Sequence, residues 1–241
     1  MTQSGRSLDA RTVCIHPVIH VESAAQVVAD LTRICDADIA GVFLIDHDAN
    51  NDRLAESLSA AHKLDTGVPL GVNVMRRSAR ESLEVLASRL DDLSIVDALW
   101  VDTVGLETGR SAAMHTAYLE AQHAYHWSGR LFGGIAFKHQ AAVADHELAA
   151  LAAQAPSLCD VPTTSGAATG SGPSIRKLQI IRQGLPTGAL AVASGVTPGN
   201  LRTFTPYLSD VLVSTGISGD DGRISRERLD DLVRAAEGPS S

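Results

Sequence analysis

Two carboxylates and one lysine stand where apolar runs end, and together they suggest chemistry beside a carbonyl group. Asp46 or Asp102 is expected to act as general base, and Lys138 to stabilise an enolate or carbonyl oxygen. Abstraction of a proton next to a carbonyl needs such a base and electrophile held on opposite sides of the carbon. In a sharper variant Lys138 is a Schiff-base nucleophile, which requires desolvation or a nearby cation such as His139 to lower its pKa. Strand alternation is expected to point His139 away from Lys138. His20 and Asn73 close two further apolar runs and are candidate ligand contacts.

A second group of residues suits a phosphate. "ASGVTPGN" (193–200) and "STGISGDDG" (214–222) place Ser194-Gly195 and Thr215-Gly216 on turns at the ends of apolar runs. Backbone N–H groups at such turns, with the positive end of a following helix, can bind a phosphate without a basic side chain. Thr197 is expected to cap the next helix and Pro198 to occupy its first turn. Thr164, Ser165 and Gly166, closing "SLCDVPTTSG" (157–166), join the candidate ligand contacts.

Asp46 and Asp48 share one face of their strand by alternation, and with His20 and Asp102 nearby they are candidate ligands for a divalent metal such as Mg2+. His115, His123 and His126 include an i, i+3 pair, but a packed or exposed helix face is the better reading for them. Trp100 and Trp127 are read as core or packing residues.

These residues are positioned by a repeating unit. Eight apolar, β-branched runs recur along the chain, from "TVCIHPVIHV" (12–21) to "SDVLVSTGIS" (209–218). Between them lie stretches such as "SAAQVVADLTRICDA" (23–37) and "SIRKLQIIRQGL" (174–185), whose apolar residues follow the three-and-four spacing of a helix. Strand then helix, eight times, predicts an α/β fold of the (β/α)8 TIM-barrel type, with an open doubly wound sheet as the rival. One domain is expected over 13–236, with an N-terminal extension at 1–12 and a tail at 237–241. In such a barrel the site forms at the carboxyl ends of the strands, where these polar residues fall.

Composition narrows the function classes. The 241 residues are 44% hydrophobic and 20% charged, enough to bury one large core. A net charge of −8 without any Lys/Arg cluster argues against a nucleic-acid surface. No apolar run approaches the ~20 residues that span a bilayer, and the first residues lack the apolar stretch of a signal peptide, so a cytoplasmic location is expected. Cys14, Cys35 and Cys159 have no metal-site or disulfide spacing and are read as buried reduced thiols.

Beyond the individual residues, "GVNVMRRS" (71–78), "FKHQ" (137–140), "TTSGAATG" (163–170), "ASGVTPGN" (193–200) and the closing "DGRISRERLDDLV" (221–233) resemble, in order and spacing, the BtpA family. These are barrel proteins associated with photosystem I biogenesis and with a sugar-operon protein, grouped with ribulose-phosphate-binding barrels. The resemblance implies a phosphorylated ligand. It maps His20, Asn73 and Lys138-His139 onto family positions, and Thr169-Gly170 and Ser194-Gly195 onto its glycine-rich turns. Three departures imply a divergent specificity: "HVESAAQVV" lacks the family's proline-rich loop, "DHDANND" replaces an acidic-Asn end, and "GISGDDG" replaces a lysine after the last turn. Residues 190–218 also resemble the last strands of the quinolinate and nicotinate phosphoribosyltransferases, which hold a phosphoribosyl group.

The expected function is therefore an isomerase, epimerase or lyase acting on a small phosphorylated, sugar-like metabolite. The alternatives are a non-enzymatic ligand-binding or assembly factor and a phosphoribosyltransferase-like enzyme. Alanine-rich helices such as "RSAAMHTAYLEAQHAYHW" (110–127) offer a surface for a homo-oligomer.

Overall fold

A computed structural model describes residues 13–168 and 170–237. Thr169, the expected N-terminal extension and residues 238–241 of the expected tail lie outside the described residues.

Eight parallel strands close on themselves in sequence order: β1 Cys14–His20, β2 Val42–Ile45, β3 Leu70–Asn73, β4 Ala98–Val101, β5 Arg130–Gly134, β6 Val161–Thr164, β7 Ala191–Ala193 and β8 Asp210–Val213. Closure is direct, with Cys14 to Pro17 of β1 in register with Asp210 to Val213 of β8. The covering helices are α1 Ala24–Ile34, α2 Asn51–His62, α3 Ala79–Ala87, α4 Ser111–Ala124, α5 Asp145–Gln154, α6 Ile175–Gly184, α7 Leu201–Phe204 and α8 Arg226–Ala236. The single-domain (β/α)8 expectation holds, because each parallel crossover needs a covering element and eight of them exhaust the sheet.

Local signals in the sequence start the helices. Ser23, Ser78, Ser174 and Ser225 each accept a hydrogen bond from the backbone N–H three residues on, and at Ser78 the Glu81 carboxylate returns the contact as a capping box. The seventh unit departs from expectation. Thr197 and Pro198 do not begin a helix; Asn200 closes the turn by accepting from the Thr197 N–H and donating to the Gly195 carbonyl, and α7 is a four-residue remnant.

Apolar side chains fill two shells. The larger lies between strands and helices; the smaller occupies the barrel interior around Val18, Phe43, Ile45, Trp100, Phe132 and Leu212. Phe43 and Phe132 meet edge to face at 5.0 Å, a favoured aromatic geometry. Toward the amino ends of the strands, His16 Nε2 and Asp210 Oδ1 form a buried 2.9 Å pair that joins β1 to β8. Of the cysteines only Cys159 is buried, where desolvation pushes its thiol up to about 12; Cys14 is exposed, contrary to expectation. Trp127 is a packing residue as expected, its Nε1 donating to the Val96 carbonyl at 2.7 Å.

Candidate functional site

Above the interior shell, at the carboxyl ends of the strands, opens a cavity of about 220 Å³. Its polar wall comes from His20 at the end of β1, His47 after β2, Asp102 after β4, Lys138 and His139 after β5, and Ser194, Gly195, Ser214 and Thr215 after β7 and β8. Residues from units far apart in sequence thus converge because all strands run the same way.

Asp102 sits part-way into this wall and accepts a 3.3 Å hydrogen bond from Asn73 Nδ2. Desolvation raises its pKa, against the Asn73 hydrogen bond and the Lys138 charge. Lys138 moves the opposite way, lowered by desolvation despite the attraction of Asp102. Each shift favours the neutral form of its group. His20 is also lowered, by burial first and then by the charges of His47 and Lys138, and its ring meets that of His47 edge to face at 4.6 Å.

The fifth strand ends at Gly134, earlier than the run "RLFGGIAFKHQ" suggested. Beyond it Ala136 and His139 take positive φ angles of 44° and 64°, which break the alternation. His139 therefore lines the same cavity as Lys138 instead of pointing away. Two anchors from the next unit, buried Ser165 and half-buried Lys177, hold this turn. The Ser165 hydroxyl accepts from the Lys138 N–H at 2.7 Å, and Lys177 Nζ donates to the carbonyls of Ala136 and Ser165 at 2.5 and 2.8 Å. Desolvation lowers the Lys177 pKa to about 8.

The glycine turns are close-packed as well as open to the cavity. At Gly195 φ is 67°, and a Cβ there would lie 1.9 Å from the Gly172 nitrogen. A Cβ on Gly216 would lie 1.9 Å from the Val196 carbonyl oxygen. Ser194 adopts a φ of 125°, a strained value for a residue with a side chain. Its hydroxyl accepts from the Gly166 N–H at 3.3 Å and donates to the Ser171 carbonyl at 3.1 Å, binding the loops after β6 and β7 together.

Several candidates take other places. Asp46 is turned away from the cavity, and its carboxylate receives Arg53 Nε at 2.6 Å and Nη2 at 2.7 Å. Burial opposes its ionisation, but Arg53 and the backbone N–H groups of Asn50 and Asp48 outweigh burial and hold the pKa below its ordinary value. Of the two carboxylates, Asp102 is the one that lines the cavity. Asp48 is exposed and bound by the same guanidinium. With Arg53 on both carboxylates, the Asp46 and Asp48 pair does not fit a divalent metal, and among the described residues no cluster of three or more His, Cys, Asp or Glu side chains is placed to hold one. Asn73 acts on Asp102 from outside the wall, Thr164 is buried with its hydroxyl toward the Ala136 carbonyl, and Ser165 and Gly166 line a neighbouring groove. Gly216 shapes the last turn without lining the cavity.

Sequence reasoning passed over Ser214 and Trp100 as parts of the wall, and it left His47 and His139 among the polar strand ends without an assigned ligand contact. For His47 a signal existed, since Phe43, Ile45 and His47 share one side of the strand. For His139 alternation gave the wrong direction, because the positive φ angles fall on ordinary residues.

The architecture is that of a (β/α)8 barrel whose site lies at the carboxyl ends of its strands, and solved structures share the fold. N-(5'-phosphoribosyl)anthranilate isomerase from Pyrococcus furiosus superposes with a TM-score of 0.66 at 11% identity, covering 94% of this chain and 100% of that one. The 2-keto-3-deoxy-6-phospho-gluconate aldolase from Zymomonas mobilis ATCC 29191 gives 0.61 at 13% identity, covering 97% of each chain. The sequence profile of the BtpA family matches residues 52–238, and the chain belongs to that family. An uncharacterised protein of Archaeoglobus fulgidus is 28% identical over 179 residues, 73% of this chain and 70% of that protein. Among the described residues no helix is long and apolar enough to cross a membrane.

Proposed function

We propose that this protein is an enzyme that binds a small phosphorylated metabolite at the carboxyl end of its barrel and isomerises, epimerises or cleaves it beside a carbonyl group. The observation that carries this reading is the presence of Asp102 and Lys138 in one cavity wall, with pKa values displaced toward each other. A raised carboxyl and a lowered amine are what proton transfer near neutral pH requires. The turns bearing Ser194-Gly195 and Ser214-Thr215 would present backbone N–H groups to the phosphate, and the Lys138, His20, His47 and His139 side chains bring further hydrogen-bond donors to the mouth. Two of the fold neighbours are named for phosphorylated compounds, an isomerase and an aldolase, which agrees with this class of ligand.

A thermal-shift series tests the reading: phosphate, sugar phosphates, phosphoribosyl pyrophosphate and their dephosphorylated forms, with and without Mg2+. A ligand of the folded state raises the unfolding temperature by mass action. Stabilisation by phosphorylated compounds alone, abolished in Ser194→Asp, is the expected result; equal shifts from the dephosphorylated forms would overturn it.

The desolvation of Lys138 in this cavity favours one specific variant, in which the neutral Lys138 amine adds to the substrate carbonyl and loses water to give a Schiff base. Borohydride reduction in the presence of substrate, followed by mass analysis, is expected to mark Lys138; an unmodified Lys138 would leave Asp102 chemistry without a covalent step.

A further inference from the structure

The cavity is polar and apolar in separate tiers. Two residues before the rim side chains His20, His47, Asp102 and Ser214 on the same strands come Val18, Ile45, Trp100 and Leu212. Alternate residues of a strand share a side, so each rim group stands directly above one of these apolar side chains. All four apolar residues line the cavity, joined by Met75 and by Phe137, whose ring meets Trp100 edge to face at 6.0 Å.

We propose that the ligand carries a flat apolar group, an aromatic or heteroaromatic ring, seated on this lower tier below its phosphate, in place of a fully hydroxylated sugar chain. The proposal rests on the reading that the rim holds a phosphate. A hydroxylated chain lowered onto Val18, Ile45, Trp100 and Leu212 leaves its hydroxyls without partners, and each such group loses its water for nothing in return. A ring meets there the faces and edges of Trp100 and Phe137, an arrangement aromatic groups favour beyond simple burial. Trp100, 7% exposed, lines this tier, and its Nε1 lacks any hydrogen-bond partner among the described residues. A single unpaired donor suits a ring bearing one acceptor heteroatom far better than a run of hydroxyls.

Calorimetric titration of the full chain with phenyl phosphate, ribose 5-phosphate, inorganic phosphate and phenol tests this. Phenyl phosphate is expected to bind about tenfold or more tightly than ribose 5-phosphate, on the scale that one apolar contact in a pocket confers. Met75→Gln, at a partly buried lining position, and Trp100→Phe should narrow that gap while leaving inorganic phosphate affinity unchanged. Ribose 5-phosphate binding as tightly as phenyl phosphate would overturn the ring proposal and leave the phosphate reading standing. Phenol binding as well as phenyl phosphate, with no heat from inorganic phosphate, would keep the ring and overturn the phosphate. Failure of all four to bind would overturn both.

Discussion

The backbone N–H of Lys138 donates a 2.7 Å hydrogen bond to the hydroxyl of Ser165, a side chain with no solvent exposure. The same hydroxyl donates to the Gly166 carbonyl at 2.9 Å, so a residue outside the cavity wall fixes the turn that carries the lysine. Ser165→Ala removes both contacts and leaves a buried N–H unpaired. The expected cost is about 1 to 3 kcal/mol of stability, read from urea unfolding, with weaker ligand binding. Unchanged ligand affinity would show that Lys138 is held by other means.

Asp102→Asn separates stability from activity. The raised pKa of Asp102 means that its ionised form is disfavoured in the folded protein, so the carboxylate subtracts stability once pH exceeds its ordinary range. The amide keeps a partner for Asn73 and carries no charge. Turnover is expected to fall on the order of a hundredfold or more. The variant's stability relative to the parent should rise as pH climbs from the ordinary carboxylate pKa through the raised one. A variant less stable at neutral pH than at pH 3, measured against the parent, would contradict the assignment.

Asp46 behaves in the reverse sense. Its lowered pKa adds stability that is present above the ordinary carboxylate range and is lost as pH falls through the folded value. Arg53→Met strands the carboxylate in a buried position, and the loss should exceed that of Asp46→Asn alone. Combining Arg53→Met with Asp46→Leu should recover much of it, a coupling that a double-mutant cycle measures. Ligand binding in Asp46→Asn should match the parent, since the side chain faces away from the cavity.

Gly195→Ala meets both a positive φ and a backbone nitrogen 1.9 Å from the new Cβ. Destabilisation of more than about 1 kcal/mol is expected, with loss of phosphate binding as the turns after β6 and β7 part. A variant with parental melting temperature and full affinity would show that the two turns need not touch.

The barrel was legible in the sequence because eight strand-like runs alternate with capped, amphipathic stretches, and few other folds accommodate that count. Which side of a strand faces the interior was not. In β2 both sides are apolar, as parallel sheets covered by helices require, so Asp46 and His47 looked equally suited to the site. Only Arg53, seven residues along, decides that Asp46 points outward. The stretch after β5 was misread for another reason. Its direction depends on left-handed backbone at Ala136 and His139, which is imposed by Lys177 and Ser165 from the next unit and leaves no trace in local composition. The expected helix start at Thr197 failed because Asn200 closes a tighter turn first.

The two tiers of the cavity occupy different letters of the same short words: "VIH" at the end of β1, and "IDH", "WVD" and "LVS" running out of the ends of β2, β4 and β8. The last letter of each word reaches the rim and the first reaches the floor, while Ile19 and Val101 in the middle pack outward and Asp46 pairs with Arg53. Substitutions in the first letters can therefore accumulate without displacing the rim groups. If the proposed site is correct, a change of floor residue would alter which ligand fits while leaving the rim side chains where they were.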